Sequence, residues 1–163
     1  MAANPQLDGL LISQAVCPIE IAQARELFLE YAESLGFSLC FQSFDKELAE
    51  LPGEYAPPRG RLLLAICAGE LAGCVALHDL GENVAEMKRL YVRPQYRGKR
   101  VGFALVQRLL AEASEIGYHS IRLDTVEPVM KDAVKMYRRL GFREISPYRT
   151  NPIDGALYMQ MDL

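Results

Sequence analysis

A basic segment that contains two glycines, between a predicted strand and a predicted helix, has the residue types of an anion-binding loop. The strand ends near Val92, and residues 97–102 (Arg-Gly-Lys-Arg-Val-Gly) open the helix. Glycine lets a ligand approach the main chain closely, and free N–H groups at the start of a helix favour an anion. Because Arg97, Lys99 and Arg100 surround these amides, the segment predicts a pyrophosphate cradle. A solvated basic turn is the alternative interpretation.

Two better-known nucleotide-binding motifs do not match this segment. It lacks the Gly-Lys-Ser/Thr sequence with which P-loop NTPases bind a magnesium nucleotide. A dinucleotide-binding fold places its glycines after the first strand, with an acidic residue about twenty positions further on. Here the glycines follow a later strand. The sequence therefore favours neither class.

The hydrophobic pattern predicts the elements that position this loop. Helices are predicted over residues 18–35, 41–51, 101–116 and 129–140, and strands over residues 62–68, 71–78, 84–92, 121–125, 142–145 and 157–163. This order predicts one α/β (α+β) domain over residues 1–163. We expect a mixed, mostly antiparallel central sheet flanked by helices on both faces.

Composition and charge exclude several classes of protein. The 163 residues include 18 Lys and Arg against 21 Asp and Glu, and the resulting charge of −3 argues against nucleic-acid binding. The longest apolar run, residues 62–68, is far shorter than the roughly 20 residues of a membrane span. Residues 1–6 do not resemble a secretory signal. Four scattered cysteines and two distant histidines suggest no metal site. We therefore expect a cytoplasmic protein without a metal.

Two blocks of the sequence resemble the GNAT superfamily of acyl-CoA-dependent N-acetyltransferases. Residues 97–102 look like the family signature Arg/Gln-x-x-Gly-x-Gly/Ala, which follows a strand that ends in Val-x-Pro; Arg100 stands where the family most often has glycine. Residues 133–142 look like the family's Ala-x-x-x-Tyr-x-x-x-Gly-Phe. The blocks occur in the family's order, about thirty residues apart. The resemblance spans most of residues 18–163 and is weakest before Leu62.

This resemblance implies where acetyl-CoA binds. Its pyrophosphate would lie on the loop amides, its pantetheine along a strand that splays from its neighbour, and its thioester near residues 86–90. The implied contacts are Leu90, Tyr91 and Val92 on the strand, and Arg97, Gly98, Lys99, Arg100, Val101, Gly102 and Phe103 in the loop. Residues 88–100 contain six basic residues and no acid, and the phosphates of CoA are the expected partner of this basic region.

Acetyl transfer to an amine predicts a base, an oxyanion donor and an acid. A lysine-like amine is uncharged only about 0.04% of the time at pH 7, so a base is needed. Glu86 is the candidate base and Asp124 the reserve; an ordinary strand glutamate is the alternative for Glu86. A main-chain N–H near Leu90 would stabilise the oxyanion. Tyr137 matches the family position of the acid that protonates the CoA thiolate, although tyrosines on such helices are often packing residues.

A segment that is rich in acidic and aromatic residues suggests where the acceptor amine binds. It contains Glu30, Glu33, Asp45, Glu47, Glu50 and Glu54 against Lys46, interleaved with Phe37, Phe41 and Phe44. Such residues would suit a cationic amine, and a solvated helix face is the alternative.

The leading hypothesis is direct acetyl transfer, in a ternary complex, to a primary amine of a small molecule. Acetylation of a protein lysine or N-terminus, and a non-catalytic CoA-binding module, are the alternatives. The last strand leaves two interpretations open, pairing across a homodimer and an internal place in the sheet.

Overall fold

The structure, a computed structural model, describes residues 9–39 and 43–163 and contains one seven-stranded sheet in the order β1-β2-β3-β4-β5-β7-β6. The strands are β1 (Leu10–Gln14), β2 (Arg61–Cys67), β3 (Glu70–Gly81), β4 (Val84–Val92), β5 (Ser120–Val126), β6 (Arg143–Ile145) and β7 (Ala156–Asp162). The helices are α1 (Pro18–Ser34), α2 (Phe44–Glu50), α3 (Val101–Ile116) and α4 (Lys131–Leu140).

The sheet is antiparallel at every described strand pair except β4 with β5, which are parallel. The parallel pair follows from the chain path, because α3 carries the chain from the end of β4 back to the start of β5. Strand β7 lies between β5 and β6. It pairs with β5 along its whole length and with β6 at Tyr158, Met159 and Gln160, so β7 occupies an internal place in the sheet.

Helices cover both faces of the sheet and produce two hydrophobic cores. Leu105 and Leu109 of α3 are fully buried on one face, which α4 also covers. Leu27 and Phe28 of α1 are fully buried on the other face, next to α2. Each such side chain contributes about 1.5–3 kcal/mol relative to an exposed one. The predicted α/β domain, with its mixed sheet between helical layers, is confirmed.

The differences from the predicted elements have local causes. Helix α4 begins at Lys131 rather than at Val129, because the N–H groups of Val129 and Met130 both donate to the carbonyl of Val126 and form a turn. Helix α2 begins at Phe44, and the predicted helical residue Phe41 lies outside the described residues. Strand β1 was not expected from the sequence.

The part of the chain that the structure describes has neither a membrane-spanning helix nor a cluster of metal ligands. No helix within it is long and apolar enough to cross a membrane. It also contains no group of three or more His, Cys, Asp or Glu side chains that could hold a metal ion.

Candidate active site

A gap opens in the centre of the sheet between β4 and β5. The two strands pair only at Val84–Ser120, Ala85–Ile121 and Glu86–Arg122. Beyond these pairs they separate, and the remaining part of β4, residues 87–92, has no strand partner among the described residues on the side that faced β5. The predicted splay at this strand is present.

A β-bulge in β4 accompanies the gap. Cys74 pairs with Tyr91 and Ala76 pairs with Lys88, so two residues of β4 oppose the single residue between them on β3. One of the two, Arg89, has a left-handed φ of 61°. Bulges bend a strand and increase its twist. This bulge directs the second half of β4 away from β5.

Gly73 lets β3 approach the bulged strand closely. A Cβ atom at this position would lie 2.6 Å from the carbonyl oxygen of Tyr91 and 3.3 Å from the Cα atom of Val92. In real structures a Cβ atom essentially never lies within 3.0 Å of a heavy atom of a residue that is not its neighbour in the chain. Glycine is therefore required where β3 packs against the end of β4.

A cleft of about 650 Å³ occupies the gap. Its walls are the end of β4, the loop before α3, the β5 residues Leu123 to Thr125, and the first turns of α4. Of the predicted cofactor contacts, nine line this cleft: Leu90, Tyr91, Val92, Arg97, Gly98, Arg100, Val101, Gly102 and Phe103. Lys99 does not line it, and its ammonium lies 5.7 Å from the centre of the Tyr96 ring.

The loop at one end of the cleft presents a row of unused backbone donors. The N–H groups of residues 98–103 donate to no described residue, and the first N–H of α3 with an acceptor is that of Ala104, which bonds to the carbonyl of Arg100. Gly98 and Arg100 both have left-handed φ values, 77° and 63°. Successive amides at a helix start form a favourable site for phosphate oxygens, so the residues present fit a pyrophosphate.

The six basic residues of 88–100 do not act together, contrary to the expectation from the sequence. Arg89 binds Glu47 through two hydrogen bonds of 2.9 and 3.0 Å. Arg93 binds Glu26 and Glu30, each at 2.7 Å. These two arginines are used to join β4 to α1 and α2, which leaves Arg97, Lys99 and Arg100 beside the loop amides.

The same ion pairs change the interpretation of the acidic segment. Glu30 and Glu47 are engaged by arginines of β4 or its end, and Glu54 lies 3.4 Å from Nδ1 of His78. Two of the six acids thus neutralise the protein's own arginines, and a third lies beside a histidine. They give no support to a cationic acceptor.

Tyr137 lies on α4 and lines the cleft opposite β4. Its ring packs against Phe142 at a centroid distance of 5.6 Å. Burial raises the pKa of its hydroxyl well above the usual value of 10. The hydroxyl has no hydrogen-bond partner among the described residues. It is therefore a protonated donor that is available to a group in the cleft.

Glu86 lies just before the cleft, at the last residue pair between β4 and β5, and does not line it. The fully buried carboxylate accepts hydrogen bonds from Nε2 of His78 at 2.8 Å and from the hydroxyl of Tyr148 at 2.6 Å, and pairs with Arg149. Burial raises its pKa, but His78, Lys88, Arg149 and Tyr148 outweigh burial and lower the pKa to about 2. Such a carboxylate binds a proton weakly.

Asp124 occupies a more suitable place for a base. It lies on β5 across the gap from β4 and lines both the cleft and an adjoining cavity of about 30 Å³. We call this second space the side cavity; its walls include Tyr31, Phe37, Leu39, Lys88, Asp124, Met130 and Asn151. Among the described residues, the only hydrogen bond to the carboxylate of Asp124 comes from the side-chain amide of Asn151, at 3.1 Å.

The sequence reasoning missed three residues of this region. Tyr148 and Arg149, in a segment for which no helix or strand was predicted, contact Glu86 from more than sixty positions away along the chain. Lys88 was counted in the basic region whose expected partner is the CoA phosphates, but it lines the side cavity. The alternation of side chains along β4 is the only sequence signal that could have separated Lys88 from the residues of the loop.

The profile of the acetyltransferase (GNAT) family matches residues 21–142. The chain belongs to the GNAT family. An uncharacterised N-acetyltransferase of Schizosaccharomyces pombe is 38% identical over 157 residues, which are 95% of this chain and 96% of the relative. A GNAT acetyltransferase from Staphylococcus aureus superposes with a TM-score of 0.77 at 19% identity, covering 94% of this chain and 98% of the other.

One protein of the same fold has been solved with its cofactor bound. An acetyltransferase from Salmonella typhimurium, solved with acetyl-CoA, superposes with a TM-score of 0.66 at 17% identity, covering 95% of this chain and 94% of the other. This GNAT protein is an acetyl-CoA-dependent acetyltransferase. The free amides of residues 98–103 are the groups that fit its pyrophosphate.

Proposed function

We propose that the enzyme transfers the acetyl group of acetyl-CoA directly to a primary amine of a small molecule. The observation that carries this proposal is a single cleft that begins at free backbone amides and ends between Asp124 and Tyr137. A purely CoA-binding module would need neither a carboxylate nor a phenol at the end of the cleft.

The proposed reaction begins with removal of a proton from the acceptor. Asp124 accepts one proton from the ammonium group, either directly or through water. The neutral nitrogen attacks the thioester carbonyl carbon, and a carbon–nitrogen bond forms as the carbonyl oxygen becomes an oxyanion. An unpaired N–H of β4 near Leu90 is the proposed oxyanion donor. We assign the base to Asp124 because Glu86 is saturated with donors.

The second half of the reaction breaks the carbon–sulfur bond. The nitrogen loses its second proton, the amide product forms, and CoA leaves as a thiolate that gains one proton. Because burial raises the pKa of Tyr137 above that of an alkyl thiol, near 8.5, full proton transfer from Tyr137 is uphill. Tyr137 therefore stabilises the thiolate by donating a hydrogen bond. One proton per acetyl group is released to solvent.

Direct transfer is favoured over a route through an acetylated cysteine. The described cysteines are Cys17, Cys67 and Cys74, and none of them lines the cleft or the side cavity. Burial raises the pKa of Cys74, which keeps its sulfur in the unreactive thiol form.

The test is steady-state thiol release from acetyl-CoA with a panel of primary amines and with lysine peptides. We expect turnover with small amines, and intersecting lines when both substrates are varied. Parallel lines would indicate a covalent intermediate and contradict the ternary complex. Tight acetyl-CoA binding without release on any acceptor would contradict the proposed function.

A further inference from the structure

Lys88 is a cation in the active site that the proposed mechanism does not use. It lies on β4 at the bulge and lines both the cleft and the side cavity. Its ammonium group has no hydrogen bond or ion pair with any residue that the structure describes. A half-buried cation without a partner is costly, so the position is suited to binding an anionic group.

The acids near Lys88 are already engaged with other cations. Glu86 pairs with Arg149 and accepts a hydrogen bond from His78, and Glu47 pairs with Arg89. Burial and the neighbouring Arg89 and Arg149 lower the pKa of Lys88 more than Glu86 and Glu47 raise it. A bound carboxylate would give the ammonium group the direct partner that it lacks among the described residues.

Asp124 presents the opposite charge on the other side of the gap. It lies on β5, past the last residue pair with β4, and lines the same two spaces as Lys88. Its carboxylate accepts a hydrogen bond from Asn151, which leaves further acceptor positions for a ligand. The remaining walls of the side cavity are mainly apolar, and include Leu35, Leu39 and Met130.

We infer that the acceptor is an α-amino acid whose ammonium group binds at Asp124 and whose carboxylate binds at Lys88. The inference rests on the proposed function, because it assigns the substrate class of the same site. An anion and a cation that line the same cleft match a zwitterion. An amine without a carboxylate would leave Lys88 unpaired and bring a second positive charge beside it.

The test compares amino acids with their α-amides. L-Leucine, L-phenylalanine and L-aspartate are each paired with the α-amide, which removes the carboxylate charge and preserves the size. Thiol release from acetyl-CoA gives kcat/KM for each compound. We expect each accepted amino acid to exceed its amide by at least tenfold. The amide has the more acidic ammonium and thus more neutral amine, so a preference for the acid must come from binding.

Lys88→Met then assigns this preference to one side chain. In Lys88→Met, we expect the ratio of kcat/KM for the acid to kcat/KM for the amide to fall to about one, because KM for the acid rises. The affinity of this variant for acetyl-CoA should stay within threefold of wild type. Lys135→Met is the matched control, because Lys135 is exposed on α4 and lines neither cavity. Its ratio should equal that of wild type.

The other outcomes separate this inference from the proposed function. Wild-type turnover of amides or simple amines that equals or exceeds that of the acids would overturn the carboxylate inference and leave the acetyltransferase intact. A preference for the acids that persists in Lys88→Met would overturn the role of Lys88. Absence of turnover with every amine would overturn the proposed function itself.

Discussion

Tyr137 combines three properties at the scale of a single residue: it lines the cleft, it keeps its proton, and its hydroxyl has no partner among the described residues. A packing role explains the ring contact with Phe142 but does not explain a free hydroxyl in the cleft. The two roles can be separated experimentally, because removal of the hydroxyl preserves the ring.

Tyr137→Phe should lower kcat by at least tenfold and change the affinity for acetyl-CoA by less than threefold, since the lost hydrogen bond stabilises the departing thiolate. Steady-state kinetics and a binding titration measure the two quantities. Tyr118→Phe is the control: it removes a hydrogen bond of 2.7 Å to the carbonyl of Arg59, away from the cleft, and should reduce stability by about 1 kcal/mol without lowering kcat. Unchanged turnover in Tyr137→Phe would remove this residue from the mechanism.

Asp124→Asn should lower kcat by about 10² or more, because the acceptor would then lose its proton only to solvent. Its activity should recover partly at high pH, where the amine becomes neutral without a base. The measurement is the pH–rate profile of Asp124→Asn beside that of Glu86→Gln. If Glu86→Gln alone changes the profile, Glu86 is the base, as the sequence predicted.

Site residues within the two family blocks could be predicted from the sequence, and ion-pair partners could not. Tyr137 and the loop lie in those blocks, where order and spacing alone identify them. The pairing of Glu86 with Arg149 joins residues 63 positions apart, since 149 − 86 is 63, and depends on where the chain returns after β5. The choice between two nearby carboxylates as base therefore required coordinates.

The loop before α3 is the element whose backbone geometry matters most for the cofactor. Gly98→Ala places a side chain at a φ of 77°, a conformation that costs an alanine roughly 1–2 kcal/mol. The strain should rotate the loop amides and raise the dissociation constant of acetyl-CoA by about tenfold, measured by calorimetry. Gly69→Ala is the control, because Gly69 has a φ of 84° in the turn between β2 and β3. Equal affinities in the two variants would contradict the role of the loop.

The bulge in β4 gives a second prediction at the scale of an element. Gly73→Ala should lower the free energy of unfolding by about 1–3 kcal/mol and weaken acetyl-CoA binding, because its Cβ would displace the backbone of Tyr91. Urea denaturation measures the first effect. Gly102→Ala is the control for stability, since its Cβ would meet only the side chain of Val92 at an ordinary 3.5 Å. Equal stabilities would contradict the close approach of β3 and β4.

Elements with a strong hydrophobic period were predicted nearly to their ends, and weakly patterned ones were not. Helix α3 places Leu105, Leu109 and Ala113 on one buried face and ends at Gly117, as the sequence indicated. Strand β1 is a sheet edge, with Leu11 mostly exposed, and depends on backbone pairing with β2. Such pairing leaves little trace in the residue types.

At the scale of the whole molecule, Glu86 links folding to pH. Its pKa is lowered from 4.5 to about 2 in the folded protein. A lowered carboxyl pKa stabilises the fold above the unfolded value, and this contribution disappears as the pH falls through the folded value. The shift corresponds to about 3 kcal/mol that is present above pH 5 and lost towards pH 2.

Glu86→Gln should therefore be less stable than wild type at pH 7 by about 3 kcal/mol, because Arg149 and His78 lose a buried partner. Its free energy of unfolding should fall less steeply between pH 5 and pH 2. Urea denaturation across this range measures both effects. Glu70→Gln, at the exposed first residue of β3, should follow the wild-type curve. Parallel curves for Glu86→Gln and wild type would contradict the low pKa.

Among the described residues, three residue pairs between β4 and β5 are the whole strand-to-strand connection between the two sides of the sheet. Strands β1 to β4 lie on one side of the gap, and β5, β7 and β6 lie on the other. A cofactor in the gap contacts both sides and acts as a cross-link between them. Saturation at a hundred times the dissociation constant should thus add about 2.7 kcal/mol to the free energy of unfolding, so the stability of this enzyme should depend on the concentration of acetyl-CoA.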